Sequence, residues 1–328
     1  MIMNKFAKQL LPFCSLIFVF SLWTFLVPHE FLTTTNLTNV LSRSSVNMMM
    51  AVGMTFVIIT GGIDLSVGTM MGMCGMMGAL VMLLLGGASW ADVAAGTHIS
   101  LSFGAVAGGI LAGVGCGAFC GWVNGMLITR LRLAPFIVTL GAMSIFRGVS
   151  LLVNNGKPFT VSAFTQLDSG RLLGIPVSVV LLAAVLVVMG FVLKYTRFGR
   201  YTFAIGSNVD TAFHAGVNVR RLLVSVYAVT GALTGLAAMI TTSRASSAQP
   251  TAGLALELDI IAAVIIGGCS PSGGRGTLTG TIIGTLLIGV LRNGLTLCGI
   301  STNWQLVAIG LIIILAVAAD QMATRRER

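Results

Sequence analysis

Charge is scarce in this chain. Only 9% of its 328 residues are Asp, Glu, Lys or Arg, against 56% hydrophobic residues and a mean hydropathy of +0.98. Soluble domains carry about 25% charged residues. So few charges cannot cover a water-facing surface, which excludes a soluble globular protein. Short segments of alternating polarity are lacking too. The apolar runs are long and continuous, which excludes a β-barrel and leaves an all-α polytopic membrane protein. Acids are rarer than bases, nine against 19, and the net charge is +10. The basic residues lie in short clusters between apolar runs, as in the cytoplasmic loops of membrane proteins, so the charge does not point to nucleic acid.

Other machinery is missing. Six scattered cysteines (Cys14, Cys74, Cys116, Cys120, Cys269, Cys298) form no CxxC pair, and most read as small packing residues inside apolar runs. Cys116 and Cys120 are one turn apart without a nearby His or acid, and His29, His98 and His214 are far apart, so no metal site is expected. A phosphate loop needs GxxxxGK followed by Ser or Thr; the nearest string, GCSPSGGR at 268–275, lacks the Lys and its hydroxyl neighbour. No catalytic residue, nucleotide site or other cofactor is therefore expected in this chain. Energy must come from an ion gradient, a partner protein or the solute's own gradient. The first apolar run ends at PHEFLTTTN without a small-x-small pattern, so no cleavable signal peptide is expected.

A crossing needs about 20 apolar residues. Ten runs can be counted, at about 10–27, 46–60, 65–86, 100–128, 134–153, 176–193, 222–242, 258–268, 277–298 and 304–320. With the N-terminus in the cytoplasm, 13 basic residues fall inside, among them Arg130, Arg132, Arg220, Arg221 and the tail Arg325, Arg326 and Arg328. Four fall outside (Arg43, Lys157, Arg171, Arg244), and Arg147 and Arg292 lie within spans. That bias obeys the positive-inside rule. An odd number of spans would split the tail from the other clusters. The expected architecture is about ten transmembrane helices in one domain over residues 1–328, with both termini cytoplasmic.

Two runs are interrupted by glycine. GGIDLSVG (61–68) and GGCSPSGGRG (267–276) each follow a short apolar run and precede a full-length one. Such breaks read either as a transport pathway built from broken helices or as two tight interhelical turns. Asp64 lies in the first. In mid-helix in lipid its carboxylate would cost about 2.5–3.5 kcal/mol. Gly61 and Gly62 can end one helix so that Asp64 caps the next at Leu65, accepting hydrogen bonds from orphan N–H groups. The other readings are a polar group on a pathway and a partner for a buried arginine. Proton carriage is disfavoured: the clear intramembrane charges are Asp64, Arg147 and Arg292, with Glu257 and Asp259 at a span end, and these form no relay.

The polar segment 194–219, KYTRFGRYTFAIGSNVDTAFHAGVNV, is the longest cytoplasmic loop of this topology. Val209, Ala212, Phe213 and Gly216–Val217 fall at helical spacing, and Asn208 suits an N-cap. Such a helix either docks into a partner or lies on the bilayer. An ion-coupled carrier would need the acid–base relay that is missing. A passive channel or scaffold would not need a docking loop.

Five strings then carry a resemblance. GGIDLSVG (61–68), RFGRYTFAIGSN (197–208), DTAFHAGV (210–217), SSAQPTAG (246–253) and ELDIIAAVIIGGCSPSGGRG (257–276) resemble, in order and over nearly the whole chain, the permease subunits of bacterial ribose-type ABC importers. The resemblance implies the ABC importer permease fold, an inner-membrane location and import of a monosaccharide. It places ATP and Mg on a separate, tandem ATPase subunit. The other implied partners are a second permease copy (normally a homodimer, with a heterodimer as the other arrangement), a periplasmic sugar-binding protein and membrane lipid. Segment 206–216 resembles the coupling helix that fits a cleft in the ATPase, with Gly206, Asn208, Asp210, Ala212 and Gly216 as coupling residues. The family often reads GGNEEAARLSGI where this chain reads GSNVDTAFHAGV, which implies a dedicated ATPase. Cys269-Ser270-Pro271 stands where Thr-Ser-Leu is usual, which bears on the local turn. The alternative cargo is another small solute: a polyol, a sugar-like signal molecule or a branched-chain amino acid. Candidate path-lining groups are Asn47, Asp64, Asn124, Arg147, Gln249 and Asn293, each with helix packing or interhelical hydrogen bonding as the other reading.

Overall fold

Polar residues at the borders of the apolar runs set where helices begin. Thr33, Ser102, Thr196, Asn208, Asn218 and Thr277 each accept a hydrogen bond from a backbone N–H three residues on, supplying an acceptor that the first turn lacks. The structure, a computed structural model, describes residues 5–90, 92, 100–162, 164–172 and 174–325; His98, Arg326 and Arg328 lie outside them. The described order is α1 (Lys5–Leu26), α2 (Pro28–Phe31), α3 (Thr34–Ile59), α4 (Val67–Leu85), α5 (Phe103–Arg130), α6 (Pro135–Leu152), β1 (Phe159–Thr160), α7 (Gln166–Ser169), β2 (Arg171–Leu172), β3 (Ile175–Pro176) and α8 (Val177–Tyr195). It continues with α9 (Arg197–Ser207), α10 (Val209–His214), α11 (Val219–Ala245), β4 (Ser247–Ala248), α12 (Leu256–Ile266), α13 (Leu278–Leu297) and α14 (Thr302–Arg325).

Every apolar run carries helix, but not equally. Among the described residues seven helices (α3, α4, α5, α6, α8, α11, α13) are long and apolar enough to cross a membrane. Shorter apolar stretches occupy Pro12–Leu26 of α1 and Thr302–Ile312 of α14. α12 has 11 residues, about 17 Å of rise, well short of a hydrocarbon core of about 30 Å.

The second run corrects the sequence reading. Hydropathy implies a short crossing at 46–60, yet α3 starts at Thr34 and is 26 residues long. Neighbours meet polar groups of its first half. Asn36 and Asn293 exchange amide hydrogen bonds at 3.0 and 2.8 Å, and the Ser42 hydroxyl meets Asp168 and Ser178 at 3.1 and 3.0 Å. Thus the break at 61–68 follows a full helix; of the two breaks, the second keeps the expected short-run form.

α3 lies at the centre, packed by α8, α11, α12 and α13. From Met48 to Ile59 every residue is buried, so this stretch shows no polar face. Met48, Met49, Met50 and Met54 of α3 share one core cluster with Met70, Met71 and Met73 of α4. The most extensive seam joins α5 to α11. Gly109, Gly113, Gly117, Gly121 and Gly125 recur every four residues along α5, all buried. A methyl group at Gly117 would strike the backbone of Gly231, and one at Gly121 the backbone of Tyr227. At the end of the bundle where α11 stops, β1 pairs with β4 (Phe159 opposite Ala248) and β2 with β3. Phe159, Val161 and Phe164 pack there against Met76, Met82 and Met239.

Candidate functional site

The first break builds a buried polar cluster. Asp64 has no solvent exposure. Its Oδ1 accepts hydrogen bonds from the Ser66 amide (2.9 Å) and the Ser66 hydroxyl (2.6 Å), and that hydroxyl oxygen accepts from Asn124 Nδ2 of α5 (2.9 Å). α4 begins at Val67 with Ser66 at its N-cap. The expected cap at Leu65 is therefore displaced: the carboxylate holds the turn before the helix, and its partners are serine groups rather than an arginine. Asp64 Oδ2, Asn124 Oδ1 and the Tyr227 hydroxyl are buried with no partner among the described residues. Asn124 is six residues from the end of α5 and Tyr227 eight from the start of α11. By helical rise the cluster lies about 9–12 Å inside the bundle.

A further interruption, outside the two glycine breaks, separates α11 from α12 at 246–255. Ser246, at φ +51, stops α11. The chain then runs through β4 and a non-helical stretch before Gly253 (φ +77) and Ala255 (φ +62) turn it into α12. A non-glycine residue in the left-handed region costs about 1–2 kcal/mol, and such strain concentrates at functional sites. The stretch runs against α4. A methyl at Gly72 would stand 2.9 Å from the Ala252 carbonyl oxygen and 3.0 Å from that of Pro250. The Pro250 carbonyl accepts from Arg147 Nη1 (2.7 Å) and the Ser150 hydroxyl (2.9 Å), both on α6. Arg147 is twelve residues into the 18-residue α6, about 18 Å from one end and about 8 Å from the other, inside the span. Glu257 is buried against Gly68 and interacts with Arg147 through space. Gln249 donates to the Ser247 hydroxyl (3.0 Å) and borders a small space of about 20 Å³ beside Met71, Gly75 and Thr242.

The six path candidates therefore separate. Asp64 and Asn124 meet in the first cluster, and Arg147 and Gln249 flank Pro250. Asn293 pairs with Asn36, tying α13 to the start of α3. Asn47 is half-buried on α3.

The polar loop holds two helices instead of one amphipathic segment, with the joint at Asn208. As expected, Asn208 caps α10, its Oδ1 accepting from the Thr211 amide at 2.8 Å. Ala212 and Val217 are buried, whereas Val209 and Phe213 are 48% and 66% exposed, so the apolar spacing serves two opposite faces. Asp210 is exposed, and its carbonyl lies 2.7 Å from His214 Nδ1. Gly216, at φ +83, closes the helix by letting the Val217 amide reach back to the Ala212 carbonyl at 3.1 Å. Gly206 is where the loop meets the breaks. A methyl there would strike the Ile59 carbonyl, which accepts from the Gly274 amide at 2.9 Å, while Gly273 lies against Gly206 and Gly61. The ends of α3 and α9 and the loop after α12 thus share one junction.

One group escaped the sequence reading. Asp168 Oδ1 accepts from Arg244 Nε (2.9 Å) and Nη2 (2.7 Å), and Arg244 also reaches the Ser42 carbonyl at 2.7 Å. This ties α3, α7 and α11 together at the end opposite Gly206. Its members are far apart in sequence, and no local pattern marks them.

Comparison with known proteins bears on all of these groups. The family model described as branched-chain amino acid transport system / permease component matches residues 36–317. The ribose import permease protein of Bacillus subtilis is 42% identical over 318 residues, 96% of this chain and 93% of that one. The ribose import permease protein of Haemophilus influenzae is 38% identical over 97% of this chain and 94% of its own. The D-allose transport system permease protein of Escherichia coli is 36% identical over 92% and 87%. No solved structure matches the chain.

Proposed function

The chain belongs to the family of branched-chain amino acid transport system permease components, and on that footing we propose that it carries a monosaccharide of the ribose kind across the bacterial inner membrane as the membrane-spanning subunit of an ATP-driven importer. Its relatives named for ribose and D-allose import support a sugar as cargo. Seven apolar helices of crossing length support the multi-pass membrane location. The whole chain acts as one transmembrane domain with residues 197–219 as its cytoplasmic segment. ATP and Mg belong to a separate ATPase subunit, a periplasmic binding protein delivers the sugar, and two copies of this chain form the path.

The observation that carries the reading is the interrupted crossing at 246–266. Non-helical backbone at membrane depth is tolerated where it is buried in protein or lines a cavity, and transporters place such breaks near the midplane. Here Pro250 is held against the α6 span through its carbonyl by Arg147 and Ser150, which supports such a break. Gly206 offers the mechanical link. When ATP-driven closure of the partner shifts α10 by Phe213 and Val209, the push passes to the Ile59 carbonyl and to Gly273–Gly274. Those lie at the ends of α3 and α12, beside the two glycine breaks at 61–68 and 267–276, so the two breaks move together. This is rigid-body gating.

The test is uptake by vesicles holding the chain with its tandem ATPase, fed by the binding protein. Ribose uptake should require internal ATP and persist without an ion gradient. Uptake that survives ATP depletion but collapses with the gradient would refute the importer in favour of a carrier. The family description motivates one further arm: competition by leucine instead of ribose would move the cargo to amino acids.

A further inference from the structure

Where α5 ends and α11 begins, the surface opens into a groove of about 660 Å³. Its lining includes the apolar Trp122, Met126 and Val224 and the basic Arg130, Arg220 and Arg221. The close glycine seam makes the groove. Gly121 and Gly125 bring the α5 backbone against Tyr227 and Val224, so the larger side chains on either side splay apart. Among the described residues no acidic side chain pairs with the three arginines.

We propose that this groove binds an anionic phospholipid of the cytoplasmic leaflet. The three guanidinium groups match a phosphate, which they can hold with paired N–H donors. The rest of the groove matches an acyl chain. Trp122 stacks on Phe119 with ring centroids 6.0 Å apart, and both are exposed. Leu111, Phe119 and Trp122 are exposed at helical spacing, with half-buried Met126 one turn further on, so the apolar wall continues up α5 as a stripe away from the arginines. A free phosphate would have no use for that stripe. Basic pockets between spans on the cytoplasmic side are suited to anionic headgroups, and aromatic side chains gather at the same level. All three arginines fall on the cytoplasmic side in the positive-inside assignment. The site stands apart from Pro250, begins four residues after α10 ends, and holds whichever cargo the chain carries.

The experiment starts with the wild-type protein. Purified permease in nanodiscs of phosphatidylglycerol and phosphatidylcholine is exposed to a photoreactive phosphatidylglycerol, digested and sequenced by mass spectrometry. Labels should fall on peptides covering 119–130 and 220–228. Labelling spread evenly over the exposed helices overturns the proposal. In native mass spectrometry, each of Arg130→Gln, Arg220→Gln and Arg221→Gln should weaken retention of phosphatidylglycerol about fivefold. The pair Arg197→Gln and Arg200→Gln should leave it unchanged. Equal retention in the Arg130, Arg220 and Arg221 variants overturns the proposal, as does complete displacement of the lipid by inorganic phosphate, which would make this a free-anion site.

Discussion

Two faces of the molecule are lined with glycine, and they do different work. On α5, Gly117 and Gly121 meet the regular backbone of α11. The result is a long helix–helix seam with no polar side chain needed to hold it. On α4, Gly68 and Gly72 meet the backbone of Gly253, Ala252 and Pro250, which is not helical. There the Pro250 carbonyl takes its donors from outside the segment, and Arg147 and Ser150 supply them. The first face is self-satisfied and should behave as frame. The second depends on side chains from α6 and can adopt another arrangement if those donors let go.

The strongest way to break this comparison is Gly121→Leu. The added side chain has only Tyr227 backbone to displace, and overpacking of this sort costs about 1–3 kcal/mol or more. The protein should lose its monodisperse profile in detergent. Gly72→Val should instead give a folded, monodisperse protein with ribose uptake reduced at least tenfold. If both variants fail alike in size-exclusion profile, the two faces are not different in kind. Arg147→Ala removes one of two donors from the Pro250 carbonyl, an effect of about 1–3 kcal/mol. It should lower uptake while membrane insertion stays normal, and normal uptake in that variant would remove Arg147 from the gating account. Gly216→Leu forces a side chain into a left-handed turn at about 1–2 kcal/mol, although the space around Gly216 is open. ATP hydrolysis should no longer respond to sugar-loaded binding protein, with insertion unchanged. The smallest expected effect is Arg244→Gln. The pair is partly exposed, 27% and 19%, so the melting temperature should fall by a degree or two, corresponding to about 1 kcal/mol at most.

Much of the frame was legible because crossing a membrane constrains composition residue by residue. The starts of α6, α8, α11 and α13 lie within three residues of where the apolar runs begin. α3 was not, because hydropathy counts the polar residues of 34–45 as loop. It cannot see that Asn293, Asp168 and Ser178 are waiting to bond them. The α5 ladder was visible as five glycines four apart, and a search for small residues at that spacing would have found it. The polar loop at 194–219 was half legible. Asn208 capped as its chemistry required, but the helix before it, α9, does not follow from the spacing of Val209, Ala212 and Phe213. Asp64 shows the limit of local reasoning: two glycines and an acid imply a helix start at Leu65, yet α4 starts at Val67, and Asn124 from another helix holds the Ser66 hydroxyl in the turn before it.

The thioethers filling the centre have a consequence for wear and motion. Met48, Met49, Met50, Met54, Met70, Met71 and Met73 are unbranched, soft and polarisable, and they re-rotate at little expense. When neighbouring helices slide by a fraction of an ångström, such side chains can refill the gap that leucine or valine would leave as a void. A centre made this way tolerates repeated cycling. Its weakness is oxidative: sulfoxide at these positions would turn a yielding interior polar and stiff.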